Sequence, residues 1–300
     1  MTDPEISIVI LNWNTWEETI ECLESLEEIS YDNYRVLLVD NNSEDKSVEN
    51  FKSYLNGDLE VVRKFGKYNP SSKPIEYSTL RISDGEFDSM QEEINSTDLC
   101  LVESDQNLGF PGGCNAGIKL ARSVSSDYVL FLNNDVVVED NFLAELVNEC
   151  KNRERVGVAG SRIMHYDDPE RLQAAGGDIH WLTGYFHIYG QDSTNVEKYN
   201  EVETRDYVWG TSALISMEAI NDVGLMDTNF FYQVEEYDYH TRIRDAGYDI
   251  IFVPNSVIWH KGGKSAEKLS DYSDSLAFIK DSQGPYKSKY FYRFYKKHLP

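Results

Sequence analysis

Three polar clusters stand where apolar runs end: Asn12-Trp13-Asn14, Asp40-Asn41-Asn42 and Asn133-Asn134-Asp135. Short amides and carboxylates in such places either cap the helices that follow or line a crevice. In an open parallel sheet, ligands bind beyond the carboxyl ends of the strands. Three clusters converging on one rim favour the crevice. Asp135 is followed by Val136-Val137-Val138, where no helix starts, so capping does not explain it. A carboxylate there suits a hard divalent cation bridging phosphate oxygens. Glu235, Glu236 and Asp238 crowd together beside a helix. They suit its N-terminus electrostatically, or they supply a general base whose pKa is raised by its neighbours. The run NLGFPGG, residues 107–113, offers glycines for a tight turn or close backbone approach. His260 ends an apolar run after Trp259; its imidazole either packs structurally or completes a metal site with Asp135.

The elements that must hold these residues can be read from periodicity. Residues 6–11 (ISIVIL), 35–39 (RVLLV), 99–102 (LCLV) and 128–132 (YVLFL) are continuous apolar runs, as expected of strands buried on both faces. Between the first two, Thr15 and Glu18 fit a capping box, and Trp16, Ile20, Leu23 and Leu26 share a helical face. A second helix carries Val48, Phe51 and Leu55, and others carry Ala116, Leu120 and Ala121, then Leu143, Leu146, Val147 and Cys150. Strand-helix alternation predicts an α/β fold with a parallel sheet. Residues 64–98, with Pro70, Pro74 and mixed charge, break the rhythm and read as an excursion that could hold its own hairpin. Further on, residues 156–161 and 209–217 read as strands, 176–208 as loops and hairpins, and 238–246 as a helix stopped by Gly247. Residues 250–253 and 257–259 read as two short strands.

Composition narrows the function. With 52 acidic and 28 basic residues, the net charge of −24 repels polyphosphate backbones and argues against nucleic acid as a partner. An anionic ligand would need a cation or helix N-termini. Such acidity also fits a halophilic source. Cys22, Cys100, Cys114 and Cys150 form no CxxC pair and read as reduced thiols. The opening MTDPEISIVIL lacks a basic n-region and reads as a strand, not a signal peptide. No run approaches the roughly 18 apolar residues of a membrane span. The expectation is a cytoplasmic protein, at most peripheral to a membrane.

Taken in order, SIVILNWN, LLVDNNSED, NLGFPGGCNAGI, YVLFLNNDVVVED, GLMDTNFF, EEYDYHTRIRDAGYDI and VIWHKGG resemble glycosyltransferase family 2, with its GT-A fold, and within it the rhamnosyltransferase-like branch. The resemblance runs from about residue 6 to 260, apart from the excursion. It implies a mostly parallel central sheet flanked by helices. Residues 1–262 would form the catalytic domain, with a nucleotide-binding half at 1–140, an acceptor-binding half at 141–262, and a tail at 263–300. It also implies an inverting, metal-dependent hexosyl- or deoxyhexosyltransferase using a dTDP-, UDP- or GDP-linked donor and a glycan or lipid-linked acceptor. The setting would be polysaccharide, glycolipid or glycoprotein glycan assembly. Candidate nucleotide contacts are Asn12, Asn14, Asp40, Asn42, Asn107, Gly113 and Asn134. Asp135, in the DXD-type position, would hold Mg²⁺ or Mn²⁺ with His260. Glu236 takes the base position, flanked by Glu235 and Asp238. The family usually has Glu-Asp where this chain has Glu235-Glu236, which keeps open a non-catalytic nucleotide- or sugar-binding protein. A sugar-nucleotide pyrophosphorylase would need a basic Gly-rich loop where the chain has Asn12-Trp13-Asn14-Thr15.

From Tyr286 to Lys297 aromatic residues alternate with Lys287, Lys289, Arg293, Lys296 and Lys297. Two arrangements suit this tail. One is peripheral contact with the cytoplasmic face of a membrane, rings at headgroup depth and cations on anionic lipid. The other is a helix that packs Tyr290, Phe291, Phe294 and Tyr295 on the catalytic domain.

Overall fold

A computed structural model describes residues 3–61, 64, 68–83, 86–87, 97–183, 185–230, 234–262 and 289–298. Strand β1 (Ile6–Asn12) is apolar almost throughout because both its faces are covered. Its even residues Ile6, Ile8 and Ile10 enter one core layer with α1 (Trp16–Leu26), α2 (Ser47–Leu55) and α4 (Phe142–Asn152). Val9 enters the opposite layer with α3 (Gly109–Ser123), α5 (Met217–Val223) and α6 (Glu235–Asp245). The two-layer burial explains why a strand-period alternation is missing from this run.

β1 lies parallel to β2 (Tyr34–Asp40) on one side and to β6 (Tyr128–Asn133) on the other. β2 continues to β5 (Leu99–Ser104), and β5 to β3 (Tyr77–Ser83), all parallel. Beyond β6 the strand β13 (Ser212–Ser216) runs antiparallel. It is followed by β8 (Val156–His165) and β14 (Asp249–His260), which are parallel to each other, and the short β12 (Glu203–Thr204) pairs antiparallel with β14. This is the expected α/β arrangement, a large central sheet between helical layers. The register pairs Asn12 with Asp40 and Leu11 with Asn133, so the three polar clusters do end side by side.

Several expectations needed correction. Thr15 precedes α1 but its side chain does not cap it; its hydroxyl instead accepts from Asn134 Nδ2 at 2.7 Å. The glycine-rich run is the first turn of α3, not a turn before it. A Cβ on Gly113 would stand 2.8 Å from Leu11, and one on Gly117 2.5 Å from Val9, so these glycines let α3 lie close on β1. Pro111 is tolerated there because first-turn amides have no intrahelical acceptor. The excursion supplies an edge strand, β3, with a short antiparallel partner β4 (Glu86–Phe87). It is anchored by Lys73, whose side chain is 2% exposed and sits 2.9 Å from Glu24 while also pairing with Glu27 and lying over the Tyr54 ring. The two short strands expected at 250–259 are one strand, β14, with a register shift between Val253 and Val257.

The hairpin of β10 (Gly177–His180) and β11 (Tyr185–Ile188) lies off the main sheet. The four cysteines are buried. Among the described residues no helix is long and apolar enough to cross a membrane. Of the tail, residues 263–288 lie outside the described residues, and α7 (Lys289–His298) is helical.

Candidate active site

The rim where β1 and β2 end is built from side chains that satisfy one another. Asn12, fully buried, donates to Asp40 Oδ1 at 2.8 Å and to Ser43 Oγ at 3.0 Å, and accepts from Thr19 at 2.9 Å. Asp40 also accepts from the Ser43 amide and hydroxyl. Burial raises its pKa against these hydrogen bonds. Asn14, at φ +57°, accepts from the amides of Glu44 and Asp45. Asn41 bridges to the next loop, accepting from the Leu108 amide at 2.9 Å and donating to Asn107 at 3.1 Å. Asn134 donates to Thr15 and Thr19 from a buried position. Asn42, at φ +62°, is exposed. The expected nucleotide residues thus converge, but Asn12, Asn107 and Asn134 shape the loops, and Gly113 is a packing position.

Asp135 leads into β7 (Val136–Val138), which pairs antiparallel with the end of β14, Val136 opposite His260. That ladder brings His260 Nε2 to 3.1 Å from Asp135 Oδ1. His260 Nδ1 is 2.7 Å from Gln173 Oε1; an Nδ1–H donated there leaves Nε2 facing the carboxylate, the orientation a metal-ligating imidazole takes. The Asp135 carboxyl is raised by burial, but when Nε2 is protonated as well, the imidazolium charge and its Nε2–H hydrogen bond outweigh this and hold the carboxyl below the ordinary range. Adjacent ligands of one hexacoordinate cation, each at about 2.1 Å, stand about 3.0 Å apart, which the pair matches. Among the described residues no group of three or more His, Cys, Asp or Glu gathers here. Asp135 and His260 are thus a pair and not part of a larger cluster of such side chains among the described residues. Gln173, which completes this arrangement from β9 (Leu172–Ala174), carries no signal in the sequence.

A cleft of about 350 Å³ opens beside this pair, lined among others by Asn133, His260, Trp209, Glu235, Glu236 and Phe291. Val234, at φ +73°, turns the chain sharply into α6, so Glu235 and Glu236 occupy its first turn rather than preceding it. Burial pushes the Glu236 carboxyl up to about 7. Burial, with the neighbouring Glu236 charge, pushes Glu235 well above the ordinary range. Among the described residues, Glu235 Oε2 and Trp209 Nε1 are buried without a hydrogen-bond partner.

Asp238 does not line the cleft. Its buried carboxylate is held by Arg242 at 3.1 Å and by Lys297 and His298 of α7, each at 2.7 Å. Burial raises its pKa, but these partners together lower it below the ordinary value. α7 itself buries Phe294 completely among Ile179, Tyr207 and Phe230, and leaves Tyr292 66% exposed. The packed arrangement of the tail is thus the one found, with Lys297 also bound to Asp227 at 3.0 Å.

Comparison with known proteins agrees with this fold. The family described as Glycosyl transferase family 2 matches residues 7–71 and 80–224, well over half of the chain. No functionally curated protein matches it in sequence. Among solved structures, GalNAc-T7 with UDP, GalNAc and Mn²⁺ is 16% identical with a TM-score of 0.60, over 86% of this chain and 44% of its own. The mannosyltransferase PcManGT from Pyrobaculum calidifontis, in complex with GDP-Man and Mn²⁺, is 15% identical with a TM-score of 0.55, over 92% and 65%. TarS 1-349 from S. aureus is 12% identical with a TM-score of 0.53, over 89% and 64%. The chain therefore spans less than two thirds of the length of each of these relatives, with which it shares the fold.

Proposed function

The chain belongs to glycosyltransferase family 2, and on that footing we propose that it moves a sugar from a nucleotide-diphospho-sugar to an acceptor hydroxyl with inversion. The observation that carries the reading is that Glu236, a carboxyl raised to about 7, shares one cleft with His260 of the Asp135 pair. A base needs a pKa near the working pH, and a departing diphosphate needs positive charge.

In the proposed step the acceptor O–H gives its proton to a Glu236 carboxylate oxygen. The acceptor oxygen forms a bond to the anomeric carbon as the bond from that carbon to the phosphate oxygen breaks, and the nucleoside diphosphate leaves with the electron pair. A single displacement needs one carboxylate and no covalent enzyme intermediate. Asp135 and His260 would hold Mg²⁺ or Mn²⁺, which supplies charge neutralisation for the leaving phosphates. Two of the structural relatives hold a nucleotide or nucleotide sugar with Mn²⁺, which supports the donor class. The hydrogen-bonded rim of Asn12, Asp40 and Asn41 would shape the nucleoside end of the crevice. Asp238 serves this reading as an anchor of α6, and Glu235, kept protonated by burial, as a neutral neighbour of the base.

The test is hydrolysis of UDP-, dTDP- and GDP-sugars by the purified protein with Mg²⁺ or Mn²⁺. Release of nucleoside diphosphate from at least one donor is expected. Tight nucleotide binding without any turnover would instead make the chain a binding protein built on a transferase frame.

A further inference from the structure

The family match ends at residue 224, yet one wall of the cleft comes from α7, far beyond it. Phe291 lines the cleft together with Glu236. Its ring meets Phe186 edge-on at 5.4 Å, and Phe186 packs on Tyr237 at 4.6 Å. Tyr237 follows Glu236 directly. Under the proposed reaction Glu236 must sit beside the incoming hydroxyl, so Phe291 belongs to the acceptor's side.

The helix is set there firmly. Phe294 is wholly buried, and Lys297 and His298 grip Asp238 on the helix that carries Glu236. The lining also holds Phe110, Trp209 and Tyr237. An aromatic wall alone suits any apolar ligand. Here it stands beside two buried polar atoms, Glu235 Oε2 and Trp209 Nε1, that have no hydrogen-bond partner among the described residues. Buried polar groups are ordinarily hydrogen-bonded, so these call for a ligand with hydroxyls. A pyranose ring combines the two demands: C–H faces for an aromatic ring and hydroxyls around its edge.

The geometry points to a sugar ring as the acceptor unit, seated against Phe291 of α7, which makes that helix a specificity-determining part of the site. This inference rests on the transferase reading above.

The test uses the full chain, the donor that it hydrolyses, and a panel of methyl α- and β-hexopyranosides as acceptor probes. Wild type is expected to transfer to at least one. Phe291→Ala should then raise KM for that glycoside roughly tenfold, with the Mn²⁺-dependent Kd for nucleoside diphosphate unchanged. Phe291→Tyr should restore most of the loss. Tyr292→Ala, on the exposed face of the same helix, should match wild type. Donor hydrolysis without transfer to any glycoside would overturn the sugar acceptor while leaving the transferase reading standing. Equal effects of Phe291→Ala and Tyr292→Ala, or an unchanged KM in Phe291→Ala, would overturn the role of Phe291. Absence of donor hydrolysis altogether would remove both.

Discussion

Replacing Glu236 with Gln should destroy activity and raise stability in the same protein. In the unfolded chain this carboxyl ionises near 4.5; in the folded chain burial holds its proton until about 7. Between those values the folded chain keeps a proton that the unfolded chain has released, so stability falls as pH rises through the window. Each pH unit is worth about 1.4 kcal/mol, and the whole window about 3 kcal/mol. Below 4.5 the penalty is absent, and above 7 it is complete. Gln carries no such penalty. At pH 8, Glu236→Gln should therefore melt above wild type by roughly 5–10 °C for a domain of this size. The gap should shrink as the pH is lowered toward 5. Donor turnover should fall at least about 100-fold, with little change in nucleotide affinity. Wild-type kcat/KM should climb with pH, reach half its plateau near 7 and level off above that, as the carboxyl ionises. Thermal denaturation across pH, paired with the hydrolysis assay, reads all of this. A mutant that melts lower than wild type at pH 8, or a gap indifferent to pH, would refute the argument that burial raises this carboxyl.

Three other outcomes follow from the geometry. Asp135→Ala should abolish Mn²⁺-dependent nucleotide binding while leaving the circular dichroism spectrum intact; equal affinity in calorimetry would discount Asp135 as a ligand. Asp238→Asn should lower the melting temperature by loosening α7, yet cost far less turnover than Glu236→Gln; the reverse ranking would make Asp238 the base. Lys73→Met should destabilise the fold by about 3 kcal/mol, because it takes the buried cation away from the Glu24 and Glu27 carboxylates; urea denaturation measures it, and a neutral result would mean that water reaches the cluster.

The central sheet was legible because strands covered on both faces read as unbroken apolar runs, as ISIVIL and YVLFL do. Asp135 stood out in the sequence because a carboxylate after a strand that starts no helix has no routine duty, and the structure sets it 3.1 Å from His260. β3 was hidden because YSTLRIS alternates at the sheet edge amid proline and charge. The glycine and proline of GFPGG hid a helix start, since local propensity cannot anticipate that Leu11 and Val9 require a bare helix surface. Gln173 and Phe291 were invisible for a different reason. One contacts His260 and the other joins the aromatic cluster, both from distant parts of the chain, and neither residue type announces such a place.

Val234 places Glu235 and Glu236 at the cleft by adopting φ +73°, a backbone state that a β-branched side chain occupies only under compulsion. Holding it costs about 1–3 kcal/mol. That is a sizeable fraction of the margin by which a domain stays folded. Selection for heat tolerance alone would thus be expected to drift toward glycine at this position. The lineage that did so would gain robustness and lose the fixed aim of its base, so the valine marks a place where durability and turnover pull in opposite directions.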